Sequence, residues 1–95
     1  MRSGKRISNN FLQFIYRVNS LSASRFAMII STSIDKRATK RNRIKRLLRE
    51  AIYRALPQIQ GHVDGIFVVV SRRVLTKESD IFQSLMELFH RAGLV

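Results

Sequence analysis

An apolar repeat between residues 36 and 56 constrains this chain more than any other feature. Apolar side chains recur there at steps of three and four, at Ile44, Leu47, Leu48, Ala51, Ile52, Ala55 and Leu56. This spacing places them in one stripe along a helix, so it predicts a helix that packs on other elements through that stripe. Pro57 follows directly, and its missing N–H and restricted backbone predict that the helix ends there.

The start of this predicted helix is densely charged. Eight side chains between residues 36 and 52 are cationic: Lys36, Arg37, Lys40, Arg41, Arg43, Lys45, Arg46 and Arg49. A helix N-terminus already carries about half a positive charge, so each exposed cation in the first turn costs roughly 0.3–1 kcal/mol. Asp35 and Thr39 are candidate caps for this end. A bound phosphate would relieve the repulsion, because amide groups, helix dipole and guanidinium groups would then all contact one anion.

The composition agrees with a polyanionic partner. The 95 residues contain 18 Lys and Arg against 6 acids, a net charge of +12. The alternatives are a basic domain without such a partner and a protein that binds a membrane surface. The second is disfavoured because the cations occur among the helix and strand patterns of a globular domain. The sequence contains no cysteine and no apolar run of roughly 20 residues, and its first residues do not show the apolar pattern that we expect of a signal peptide. We therefore expect one cytoplasmic RNA-binding domain, residues 1–95, with no membrane role.

The flanking segments predict a small sheet. Residues 11–18 and 24–31 are rich in aromatic and branched side chains, which favours two strands joined by a Ser-rich loop. The segment 65–73 contains five consecutive apolar residues, 66–70, which predict a central strand covered on both faces. We expect the first two strands to pair antiparallel, and residues 66–70 to pair in parallel with residues 27–31 across the basic helix.

A second helix is predicted near the end of the chain. Thr76 is its candidate cap, Gly93 lies beyond its end, and its buried face consists of Ile81, Phe82, Leu85, Met86, Leu88 and Phe89. The predicted order is ββαβα, an α+β fold in which two helices pack on a small sheet.

No pattern predicts a nuclease site made of protein groups. Such chemistry needs clustered carboxylates or histidines, whereas Asp35, Glu50, Asp64, Glu78, Asp80, Glu87, His62 and His90 are scattered. No metal or cofactor is therefore expected on protein residues. The chain also lacks a helix-turn-helix or zinc-finger pattern, and Asn42 between two arginines can both donate and accept hydrogen bonds. These features favour RNA over duplex DNA.

The run KRATKRNRIKRLLRE, from Lys36 to Glu50, resembles the signature of the bacterial ribonuclease P protein subunit. The order and lengths of the predicted elements agree with that family along nearly the whole chain. The resemblance implies the non-catalytic protein of an endoribonuclease that removes the 5′ leader from precursor tRNA, with catalysis and magnesium residing in its RNA subunit. The implied partners are that catalytic RNA, one per protein, and precursor tRNA. A structural RNA-binding protein, such as a small ribosomal protein, is the alternative.

The resemblance also implies a fold and a set of contacts. The fold would be that of the second domain of ribosomal protein S5, with a left-handed crossover through the basic helix. Contacts with the catalytic RNA would come from Lys36, Arg37, Lys40, Arg41, Asn42, Arg43, Lys45, Arg46 and Arg49.

A cleft beside the sheet is expected to take the single-stranded leader. Tyr16 falls where the family has an aromatic residue on the first cleft strand, and Phe14 shares its face. A base stacked on either ring would contribute about 1–3 kcal/mol. Both also fit an ordinary buried face. Arg72 and Arg73, at the end of the central strand, are expected either to contact the leader or only to keep the strand end soluble.

Two departures from the family pattern bear on leader affinity. Relatives usually begin with a helix before the first strand, whereas only ten residues precede Phe11 here. We expect either a shortened version of the family chain or an incomplete start. The second departure is the segment STSID, in which Thr32 and Ser33 stand where many relatives have two lysines. This exchange removes two phosphate contacts from the cleft edge.

Overall fold

The structure, a computed structural model, describes residues 4–20, 23–71 and 78–95, without the side chains of residues 78 and 79. Its strands are β1 (Lys5–Ser8), β2 (Leu12–Val18), β3 (Arg25–Ile29) and β4 (Val63–Val69), and its helices are α1 (Ala38–Ala55) and α2 (Glu78–Arg91). A short 3-10 turn at Leu56–Gln58 follows α1. The α+β class with two helices is confirmed. The candidate cap Thr76 lies outside the described residues, as do Arg72 and Arg73.

The four strands form one sheet in the order β1-β2-β4-β3, so the apolar strand β4 is central as predicted. It pairs antiparallel with β2 and in parallel with β3. The parallel register joins Ala27 to Ile66 and Ile29 to Val68, which confirms the second predicted pairing. The predicted antiparallel pairing of β2 with β3 is wrong, because β4 lies between them. The handedness of the crossover through α1 stays a prediction.

Strand β1 has no counterpart in the predicted order. Its sequence, Lys-Arg-Ile-Ser, contains one apolar residue and therefore gives no alternating pattern. It pairs antiparallel with β2 and covers the outer edge of that strand. Asn9 fixes the following turn: its side-chain oxygen accepts the N–H groups of Phe11 at 3.0 Å and Leu12 at 2.9 Å. Its amide donates to the hydroxyl of Ser84 on α2 at 2.9 Å, so the turn is tied to that helix.

The core lies between one face of the sheet and both helices. Three phenylalanines form its centre: the Phe14 ring stacks on Phe67 with centroids 4.4 Å apart, and the edge of Phe89 meets Phe14 at 5.4 Å. Gly65 on β4 leaves room for this stack, since a Cβ there would lie 2.5 Å from the Phe14 ring. Any side chain at position 65 would displace a fully buried aromatic ring.

The opposite sheet face differs from the prediction. Ile66 and Val68 project there and are half-buried, while the buried residues of both helices belong to the core on the other face. No helix in the described part of the chain covers this second face. The prediction that β4 is covered on both faces is therefore wrong. Five consecutive apolar residues here reflect a central position in the sheet rather than a second packed layer.

A group of polar side chains joins three segments at one end of this open face. Asp64 accepts hydrogen bonds from Arg25 at 2.8 and 2.7 Å and from the Asn19 amide at 2.9 Å, and Arg17 lies 3.7 Å away. The hydrogen bonds from Arg25 are the main reason that the pKa of Asp64 falls to about 2. The group ties β4 to β3 and to the end of β2.

The Asp64 group predicts a stability difference that depends on pH. An unfolded aspartate titrates near ~3.9, so the lowered pKa in the folded state stabilises the fold above that pH, and this contribution is lost as pH falls toward about 2. We expect Asp64→Asn to be less stable than the original chain at pH 6. The deficit should shrink between roughly pH 4 and pH 2. Urea unfolding followed by circular dichroism over this range measures it, and a constant deficit would contradict the assignment.

Candidate nucleic-acid interface

Helix α1 is held on the core by one face. Its buried residues are Ile44, Leu48, Ala51, Ile52 and Ala55. The predicted apolar stripe is confirmed, with Leu47 partly buried at its margin and Leu56 37% exposed beyond the helix end. Since this face is fixed against the sheet and α2, the remainder of the helix circumference faces outward. The cations of the helix are therefore presented on the surface of the molecule.

The outward face is positively charged and largely unneutralised. Asn42, Arg43, Arg46 and Arg49 are exposed, while Arg41 and Lys45 are half-buried. Within the described residues, six cations of this segment have no ion pair and no side-chain hydrogen bond: Lys36, Lys40, Arg43, Lys45, Arg46 and Arg49. Free guanidinium and ammonium groups keep their full capacity to donate to an anion.

The N-terminus of α1 has neither of the predicted caps. Arg37 is the N-cap residue, no side chain caps the helix, and no acid occupies its first turn. Asp35 lies two positions before the N-cap, and its carboxylate instead accepts the backbone N–H of Arg37 at 2.9 Å. Thr39 already lies inside the helix. The positive end of the helix dipole is therefore left open to an external anion.

Two of the arginines are oriented by Asp35. Its carboxylate accepts the Arg37 guanidinium through two contacts of 3.2 Å, and its backbone carbonyl accepts the Arg41 guanidinium at 2.8 Å. The hydrogen bonds from Arg37 lower the pKa of the Asp35 carboxyl below its ordinary value. Arg37 and Arg41 are thereby held beside the start of α1. The sequence predicts only a capping role for Asp35, and its contacts with these arginines depend on the fold of the turn before α1.

The two aromatic residues expected to contact the leader, Phe14 and Tyr16, are both buried. Phe14 is fully buried and stacks on both Phe67 and Tyr16. This placement favours the alternative of an ordinary buried face for Phe14, and base stacking on its ring stays a prediction. Tyr16 is 6% exposed and lines a groove of about 500 Å³ beside the end of α2. The other lining residues are Lys5, Arg17, Val18, Gln60, Ala92, Gly93 and Leu94.

The described part of the chain was also examined for a metal site and for a membrane span. Among the described residues, no group of three or more His, Asp or Glu side chains is placed to hold a metal ion. None of the helices in those residues has the length and apolarity needed to cross a bilayer. Thr32 and Ser33 are exposed in a turn before α1, which the Ile34 N–H closes by donating to the Ser31 carbonyl at 3.1 Å. The basic face of α1 is thus the principal candidate interface.

Comparison with known proteins assigns the family. A model of the Ribonuclease P family matches residues 1–93. The chain belongs to the ribonuclease P protein family. It is 36% identical to the ribonuclease P protein component of Xanthomonas axonopodis pv. citri over 96% of this chain, and it spans 61% of that relative's length. It is 32% identical to the ribonuclease P protein component of Synechococcus elongatus over 99% of this chain, spanning 81% of that relative.

A solved structure shows the same fold in this family. The RNase P protein from Thermotoga maritima superposes with a TM-score of 0.83 at 25% identity, covering 95% of this chain and 87% of that one. The fold class implied by the resemblance is therefore confirmed.

One exposed residue of α1 was missed by sequence reasoning. Tyr53 is 76% exposed, although the apolar repeat surrounds it in the sequence. Its helical phase is the available signal, since it falls outside the stripe of buried positions and on the side of Arg46 and Arg49.

Proposed function

We propose that this chain is the protein component of a ribonuclease P, and that the outward face of α1 binds the catalytic RNA. One observation carries the proposal: a member of this family presents an uncapped helix N-terminus and, along the same segment, six cations that have no ion pair among the described residues. Such a surface is electrostatically unfavourable alone and is stabilised by phosphate groups.

The proposed contacts follow the helix. Arg43, Arg46 and Arg49 are free to form charge-assisted contacts with phosphates, and Lys36, Lys40 and Lys45 add point charges around them. Arg37 and Arg41 are pre-oriented by Asp35. Asn42 adds a side chain that both donates and accepts, which suits a base edge or a ribose hydroxyl. Cleavage itself is assigned to the RNA subunit and its magnesium ions, with one protein bound to each RNA.

The leader of precursor tRNA is proposed to pass the groove beside Tyr16. Lys5 and Arg17 on its strand side supply positive charge for a single strand. Because the Tyr16 ring stacks on Phe14 at 4.8 Å and the residue is only 6% exposed, its part in leader binding is limited to the small accessible portion of its side chain. Arg72 and Arg73 stay candidate leader contacts.

Reconstitution of cleavage tests this function. The chain is added to a bacterial ribonuclease P RNA and a precursor tRNA at a magnesium concentration at which the RNA alone is inactive. We expect 5′ leader removal to be restored, because bound cations reduce the repulsion between the RNA and its substrate. A chain in which Arg43, Arg46 and Arg49 are all alanine is the control and should not restore cleavage. If the original chain binds RNA but gives no leader removal, the alternative of a structural RNA-binding protein is favoured.

A further inference from the structure

The distribution of aromatic side chains sets one residue apart. The chain contains six Phe and two Tyr, all within the described residues. Seven of these eight are buried or half-buried: Phe11, Phe14, Tyr16, Phe26, Phe67, Phe82 and Phe89. Tyr53 alone is exposed, at 76%. Within the described residues it has no hydrogen bond and no ring contact, so nothing in the fold accounts for an aromatic side chain there.

The position of Tyr53 on α1 relates it to the basic face. Asn42, Arg46, Arg49 and Tyr53 follow one another at steps of four, three and four residues. The buried residues Ile44, Leu48, Ala51 and Ala55 have the same spacing on the opposite side of the helix. Residues spaced in this way form one stripe along a helix. Tyr53 therefore lies on the outermost stripe of α1, about 16 Å along the axis from Asn42.

The neighbouring charges favour a nucleic acid at this position. Arg46 and Arg49 form no ion pair within the described residues, and Arg49 is one turn before Tyr53. The next residue, Arg54, points away from this stripe, with its guanidinium 4.7 Å from the centre of the Phe82 ring on α2. An exposed aromatic ring beside free arginines is the arrangement by which proteins hold an unpaired base while contacting the adjoining phosphates.

We propose that Tyr53 is a base-stacking site that extends the basic face of α1 by a further turn, and that its ligand is an unpaired base of the catalytic RNA. The inference rests on the RNA-binding function proposed above. The arginines supply charge without regard to base pairing, whereas the ring can be covered only by a base that is free to stack. Tyr53 would thus position the end of α1 against a non-helical part of the RNA.

Two matched substitutions test the ring. We expect Tyr53→Phe to bind a bacterial ribonuclease P RNA within about twofold of the original chain, since the stacking surface is kept. Tyr53→Leu, which keeps the apolar character but removes the ring, should bind roughly 5- to 150-fold more weakly, the range for base–aromatic stacking. Both variants should have the melting temperature of the original chain, because the side chain at position 53 is exposed. Equal affinity of Tyr53→Leu and the original chain would overturn the proposal, as would an equal loss in Tyr53→Phe.

A spectroscopic measurement tests stacking independently of affinity. The chain contains no Trp, so Tyr53→Trp introduces a unique fluorophore at the site. We expect its emission to be quenched at saturating RNA, whereas unchanged emission would overturn the proposal.

The variant with alanine at Arg43, Arg46 and Arg49 separates failure of the stacking site from failure of the proposed RNA-binding function. If that variant binds RNA normally, the proposed function fails; if it binds weakly while Tyr53→Leu binds normally, only the stacking site is lost.

Discussion

Replacing Arg43, Arg46 and Arg49 together with alanine is expected to weaken binding to a bacterial ribonuclease P RNA by about a thousandfold. The expectation follows from three charge-assisted contacts of at least about 1.5 kcal/mol each, since ~1.4 kcal/mol corresponds to a tenfold change. The stability of the folded protein should not decrease, because none of the three side chains has a partner within the described residues. Alanine also favours helix more than arginine does. The melting temperature is therefore expected to stay unchanged or to rise.

The salt dependence of binding identifies the origin of the loss. If α1 engages about six phosphates, the logarithm of affinity should fall with the logarithm of salt concentration at a slope near −4 to −5, using roughly −0.7 to −0.9 per phosphate. The triple variant should reduce the magnitude of that slope by about 2–3. Filter binding or fluorescence anisotropy at several salt concentrations measures both quantities. Arg6→Ala, on β1 and away from α1, is the control for a change in net charge.

Two results would contradict this reading of α1. A slope near zero for the original chain would show that phosphate contacts do not dominate the binding. A marked fall in melting temperature with RNA affinity intact would show that the arginines serve the fold instead. Arg41 is left out of the variant because its guanidinium donates to the Asp35 carbonyl at 2.8 Å, so alanine there removes a structural contact as well as a charge.

Phe14→Ala is expected to destabilise the protein by about 3–5 kcal/mol, the usual cost of removing a buried phenylalanine ring. The ring is fully buried and stacks on Phe67 at 4.4 Å and on Tyr16 at 4.8 Å. Its loss leaves a cavity at the centre of the core, next to Gly65. A loss of this size is a large part of the stability of a small domain. Urea unfolding monitored by circular dichroism measures it.

The same variant separates core packing from leader binding. Phe26→Ala is the matched control, because Phe26 belongs to the same aromatic cluster but is only half-buried; we expect a smaller loss there. If Phe14→Ala were as stable as the original chain and instead bound a leader oligonucleotide less tightly, Phe14 would be a binding residue rather than a core residue.

Features that depend on residues near one another in the chain were determined by the sequence. The apolar stripe of α1 and the face of α2 that contains Leu85 and Leu88 follow from helical spacing, and Pro57 accounts for the end of α1 at Ala55. The density of cations near Arg43 and the phosphate-binding character that it implies are equally local. The family resemblance depended on the same run of residues.

Only the tertiary structure decided which strands pair and which aromatic rings stay accessible. The branched and aromatic residues of β2 and β3 predict two strands, but they do not predict whether the two strands pair with each other. In the structure both strands pair with β4, which lies far away in the chain. The alternating apolar pattern that contains Phe14 and Tyr16 is the same whether that face of the strand is buried in a core or lines a cleft. Burial depends on what packs against a side chain, and for Phe14 that contact comes from Phe67 and Phe89. Tyr53 falls outside the apolar stripe by its helical phase, but its 76% exposure was established only by the packing of α1 on the core.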